Sequence, residues 1–134
     1  MDTKIHFLVS LLITIILFPF FELWSVLALF GGWLIDIDHW WGYALKYKDW
    51  NPLKMFKYFN NCDCSQFKNG KFGFLVLFHS LEFLLVCIVL SIFFPLIWIL
   101  VGSWCVHMLM DLYYEQKIKI HKTYSIILFY IENT

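Results

Sequence analysis

The sequence has no arginine. Its ten basic residues are all lysines, confined to position 4, residues 46–71 and residues 117–122. Charge is scarce overall, at 15% of residues against 61% hydrophobic and 22% aromatic, with a mean hydropathy of +0.70. A soluble domain carries roughly a quarter of its residues as charged groups. This composition therefore excludes an ordinary soluble fold and predicts one integral membrane domain over residues 1–134, with membrane lipids around it and no nucleic-acid partner indicated.

Cysteine gives no disulfide framework. Cys87 and Cys105 lie in apolar runs, where thiols serve as small packing residues. Cys62 and Cys64 share a polar loop, but one such pair without a second cluster is a weak metal motif. No small-x-small cleavage site follows Lys4 and the first apolar run, so that run reads as an uncleaved helix.

Four apolar runs set the expected architecture: residues 5–21, 23–38, 72–94 and 95–114. Pro19 and Glu22 mark the end of the first, and Pro95 stands at the start of the fourth. The second run is short for a span. It is expected to tilt, or to continue through residues 40–45 after an interruption, and Gly31-Gly32 offers a bend or a close helix approach. Residues 46–71 form a Lys-rich loop with a short amphipathic helix around residues 53–59, and residues 115–134 suit an interfacial C-terminal segment. The fold class is thus all-α, an integral membrane four-helix bundle made of two antiparallel helical hairpins. Lysine clusters at both ends and in the central loop place the termini and the loop on the cytoplasmic side of the inner membrane.

With that topology, the ionisable residues converge on one half of the bilayer. His6 starts helix 1, and Asp36 and Asp38 close helix 2. His79 lies seven residues into the third run and His107 seven before the end of the fourth, each ~10 Å deep at ~1.5 Å per residue. Asp111 follows His107 by four positions, on the same helix face. Imidazoles and carboxylates together suit a borderline divalent ion, Zn²⁺ or Mn²⁺ before others. The candidate ligands are His6, Asp36, Asp38, His79, His107 and Asp111. Asp36 and Asp38 point to opposite sides of a helix, so helix 2 is expected to unwind at Asp36 into an extended segment. Glu82, one turn beyond His79 on the same face, is the candidate general base, or else an additional ligand.

Blander readings stand beside these. His39 beside Trp40 and Trp41 fits an interfacial aromatic belt, and His121 in the lysine tail fits a solvated side chain. The six ligand candidates could also form a structural polar network. Three functions follow: a metal-dependent hydrolase of an ester or phosphoester, acting on a lipid or small molecule; a non-enzymatic metal binder or ion pathway; and a structural or partner-binding membrane protein. Beyond Glu82 the third run offers only Cys87 and Ser91 as polar steps, which argues against a through-pathway.

The order of His6, Asp36-Ile37-Asp38, His79-Ser80 and His107-x-x-x-Asp111 resembles the YdjM-like, LexA-binding inner-membrane family of predicted membrane-bound metal-dependent hydrolases. The likeness extends over residues 5–114. It departs where the family has Pro before the DID motif and a His-Arg pair before the HS motif, here Ile35 and Phe74-Leu75. The resemblance implies a membrane metal site and hydrolytic activity.

Overall fold

The structure is a computed structural model and describes residues 3–61 and 77–118. The Cys62 and Cys64 pair, residues 62–71 of the Lys-rich loop, His121 and residues 119–134 of the expected interfacial tail lie outside the described residues. Among those described, every regular element is helical. Helix α1 covers Thr3–Phe21, a 3₁₀ turn Glu22–Val26, α2 Leu27–Gly32, a second 3₁₀ turn Leu34–Asp36, and α3 Ile37–Tyr47. Then follow α4 at Pro52–Asn61, α5 at Leu81–Phe93 and α6 at Ile97–Ile118. Two segments, Thr3–Tyr47 and Ile97–Tyr114, are long and apolar enough to cross a membrane, while Leu81–Phe93 is apolar but shorter.

Helix α1 ends where expected, and Glu22 takes the left-handed region at φ 48°. This break lets the chain double back. A Cβ on Gly32 would collide with Ser10 and Ser103, and one on Gly31 with the Leu100 carbonyl, so α2 lies against both α1 and α6 at backbone distance. The α2–α6 packing is the most extensive in the fold. The Ser103 hydroxyl donates to the Ala28 carbonyl at 2.7 Å, tying the same two helices where lost glycine side chains leave room.

The polarity of the helices is inverted. The buried residues of α1 are His6, Ser10 and Thr14, spaced by four and so stacked on one face. Ser10 and Thr14 donate to carbonyls one turn back, at 2.6 and 2.8 Å, which satisfies their hydroxyls inside the fold. Leu8, Leu12, Ile15, Ile16 and Phe20 are exposed on the same helix. Helix α5 repeats the pattern with Ser91 buried and Ile92 and Phe93 exposed. Water-soluble chains rarely leave such continuous apolar surface uncovered.

The interruption in the second run falls at Trp33 and the 3₁₀ turn Leu34–Asp36, after which α3 continues the path. Asp36 is not extended, contrary to expectation: its φ and ψ are −63° and −7°. Beyond α3, Lys48 turns the chain through φ 53°, and α4 packs its Tyr58 ring on Tyr43 and Tyr47 at 5.4 and 5.2 Å. Asn51 Oδ1 accepts from Leu53 N at 3.0 Å and starts α4. The Lys54 ammonium, 2.7 Å from Asp49, holds that exposed carboxyl below the usual carboxylate range.

The third run differs most from its sequence reading. Residues 77–80 form a turn and α5 begins only at Leu81. Ser80 is its N-cap, with extended backbone and Oγ accepting from Phe83 N at 3.1 Å. His79 therefore precedes the helix instead of lying two turns inside it. The depth counted along a continuous helix does not apply to it, nor does the shared helix face with Glu82. Trp104 Nε1 donates to the Phe78 carbonyl at 2.7 Å and pins this turn to α6. Ile35, Trp104 and Met108 form a small apolar core around which Phe78, Phe83 and Leu84 pack.

Candidate metal centre

Five segments of the chain bring His6, Asp36, Asp38, His79, His107 and Asp111 into one cluster. The α1 start supplies His6, the 3₁₀ turn Asp36, the first turn of α3 Asp38, the pre-α5 turn His79, and α6 both His107 and Asp111. Five of the six are nearly inaccessible: His79 0%, His107 1%, His6 2%, Asp111 3% and Asp38 5% exposed. Asp36 is the most open, with its side chain 17% exposed.

Hydrogen bonds fix the imidazole tautomers. His107 Nδ1 lies 2.8 Å from the Gly32 carbonyl, which can only accept, so this nitrogen carries the proton. His79 Nδ1 lies 3.0 Å from Asp38 Oδ2 and donates in the same way. Neutral rings in these tautomers present bare lone pairs at both Nε2 atoms, and those atoms are 2.9 Å apart. Two lone pairs at that distance repel unless a proton or a cation stands between them.

The surrounding oxygens complete a compact donor set. Asp36 Oδ1 lies 3.5 Å from His79 Nε2 and 3.6 Å from His107 Nε2. Asp111 Oδ2 lies 4.0 and 3.8 Å from the same two atoms. Ligand atoms around a tetrahedral Zn²⁺, bonded at ~2.0–2.1 Å, stand ~3.3–3.4 Å apart. The observed spacings of 2.9 to 4.0 Å bracket that value, so small side-chain adjustments would close the set. These buried His and Asp side chains can hold a metal ion.

Comparison with known protein families, curated proteins and solved structures finds no match. The site's character therefore rests on its own chemistry.

Asp38, expected as a ligand, stands in a separate grouping with His39 and His79 that could also hold an ion. Its Oδ2 accepts from His79 Nδ1 at 3.0 Å and from Phe78 N at 2.8 Å, and its Oδ1 from His39 Nδ1 at 2.8 Å. A carboxylate holding the far nitrogen of a metal-binding imidazole is the usual orienting partner of such sites. The two aspartates of the DID motif meet His79 from opposite sides, Asp36 at Nε2 and Asp38 at Nδ1. An extended backbone is unnecessary because the histidine ring itself lies between them.

His39 was missed by its sequence surroundings. Besides bonding Asp38, its ring stands edge-on to His79 with centroids 4.6 Å apart. Its signal was adjacency to Asp38, outweighed by the two tryptophans. The Gly32 carbonyl was also invisible, since a backbone acceptor leaves no side-chain signature. His6 Nε2 lies 3.1 Å from Asp111 Oδ1, and its ring stacks on His107 with centroids 4.0 Å apart. Glu82 sits half-buried in the first turn of α5 and belongs to none of the three His/Asp groupings found among the described residues.

Proposed function

We propose that this chain is an integral membrane four-helix bundle and a metal-dependent hydrolase of an ester or phosphoester at the cytoplasmic face of the inner membrane. The observation that carries the metal is the 2.9 Å approach of two imidazole Nε2 atoms whose Nδ1 atoms are both committed to acceptors. Support for the bilayer comes from polar residues buried inside α1 and apolar ones facing outward. Helix α1, at 19 residues, is ~28 Å long, close to the ~30 Å hydrocarbon thickness. The lysines then put both termini and the central loop in the cytoplasm. Labelling of Cys62 and Cys64 by an impermeant thiol reagent is expected only after cell lysis; labelling of intact cells would reverse the orientation.

His79, His107, Asp36 and Asp111 would hold the ion, with Zn²⁺ or Mn²⁺ suited to two imidazoles and two carboxylates. When bound, a divalent ion there supplies Lewis acidity and makes water a nucleophile near neutral pH. Asp38 keeps the His79 ring in register, and the Gly32 carbonyl does the same for His107. Asp36 marks the open edge, being the most exposed of the six. A substrate reaching that edge from the headgroup region would be a lipid or another amphipathic ester.

The burial of His79 and His107 favours a second reading, a non-catalytic metal holder. Turnover separates the two. The metal-loaded full chain in detergent, offered lipid and soluble phosphoesters, should hydrolyse one class and lose that activity on chelation. A general base contributes about 10²–10⁴-fold, so Glu82→Gln with metal retained should lose turnover by that factor if Glu82 is the base. Turnover within about threefold of wild type in that variant would remove Glu82 as the base, and no turnover by wild type on any substrate would leave the metal holder.

A further inference from the structure

The carboxylates of the cluster each divide their oxygens between two places. Asp111 Oδ2 faces His79 Nε2 and His107 Nε2, while its Oδ1 lies 3.1 Å from His6 Nε2. Asp36 Oδ1 faces the same pair of imidazoles, and its Oδ2 is buried without a hydrogen-bond partner. His6 is 2% exposed and also keeps one ring nitrogen, Nδ1, without a partner. A single ion among the four inner donors leaves His6 unused as a ligand, although it stands beside Asp111.

We propose that the centre takes two divalent ions bridged by Asp111, with His6 as a ligand of the second. His6, His107 and Asp111 already form one grouping of metal-ligand spacing, and Asp36, His79 and His107 form another. The 3.1 Å separation of His6 Nε2 and Asp111 Oδ1 matches two donors on one ion. The substrate class follows from the same arrangement. With no arginine anywhere in the chain, the usual bidentate grip on a phosphate is absent, and the positive charge for an anionic phosphoester must come from elsewhere. Paired divalent ions clamp the attacking and leaving oxygens of phosphoryl displacements. A phosphoester is the substrate class that such a pair of ions would serve here.

This inference rests on the metal reading above, and its test has a readout independent of turnover. The full chain in detergent is titrated with Mn²⁺ alone, and bound metal is counted by elemental analysis alongside low-temperature electron paramagnetic resonance. Wild type is expected to bind two ions per chain and show the spectrum of a coupled Mn²⁺ pair. His6→Ala should retain one ion with an uncoupled spectrum. One uncoupled ion in wild type overturns the proposal, even if His6→Ala does not fold, and leaves the hydrolase reading in place. An unchanged coupled pair in His6→Ala also overturns it. Two coupled ions in a wild type that hydrolyses nothing uphold the paired site and defeat the hydrolase reading instead.

Discussion

Replacing His107 with alanine is expected to reduce bound metal from near one equivalent or more to background, whereas Asp38→Asn should leave metal bound but held more weakly. His107 contributes Nε2 to the inner donor set, 2.9 Å from His79 Nε2 and 3.6 Å from Asp36 Oδ1. Its removal leaves too few converging donors. It also strands the Gly32 carbonyl, whose 2.8 Å hydrogen bond comes from the same ring. Asp38 acts through His79 instead, and asparagine can still accept from the His79 Nδ1–H. Loss of an orienting partner of this type lowers metal affinity by about 10–100-fold. Elemental analysis after dialysis against a weak chelator, at two chelator strengths, reads both variants. Equal metal in wild type and His107→Ala would defeat the ligand assignment. Complete loss in Asp38→Asn at both strengths would move Asp38 into the ligand shell.

The second large effect concerns packing. Gly31→Ala should lower the apparent unfolding temperature markedly, while Gly102→Ala should leave it unchanged or raise it. A Cβ at Gly31 would overlap the Leu100 carbonyl, which belongs to the backbone of α6 and cannot rotate away. Helix α2 would have to retreat from α6, and Gly32 with it. Overpacking of this type costs about 1–3 kcal/mol, and a backbone obstacle puts the case at the upper end. The unfolding midpoint should then fall by on the order of 5–10 °C. Gly102 has nothing within 4 Å of an added Cβ, so alanine there only improves the helix, by about 0.5–1 kcal/mol. Thermal unfolding in one detergent compares the two. Similar midpoints for both variants would mean that α2 does not approach α6 so closely.

Those two glycines show how far the residues alone reach. Gly31-Gly32 offered a bend or a close helix approach, and the approach is what the fold uses. Which helix came close was not written there. Choosing α6 required Leu100 and Ser103 to face α2, a pairing between residues about seventy positions apart. His79 shows the opposite failure. The run of residues 72–94 is mostly apolar, so hydropathy carried the expected helix across Ser80. The serine's preference for capping Phe83 N starts the helix there instead. Local hydrogen bonding by a hydroxyl outweighs hydropathy at a helix boundary.

Composition and order alone determined the all-helical architecture, the break near Asp36, and six His and Asp residues as one set. Apolar length, lysine placement and motif order are properties of the chain read along its length. Tertiary structure decided the roles within that set. Asp36 and Asp38 are chemically identical and two residues apart, yet one faces His79 Nε2 and the other Nδ1. A carboxylate's role depends on which nitrogen it meets, and that follows from the position of a ring forty-one residues away. The Gly32 carbonyl fixing the His107 proton, and Asp111 dividing its oxygens between His6 and the inner pair, are decided in the same way. Donor direction is set by three-dimensional packing, and sequence spacing fixes it only inside a single helix.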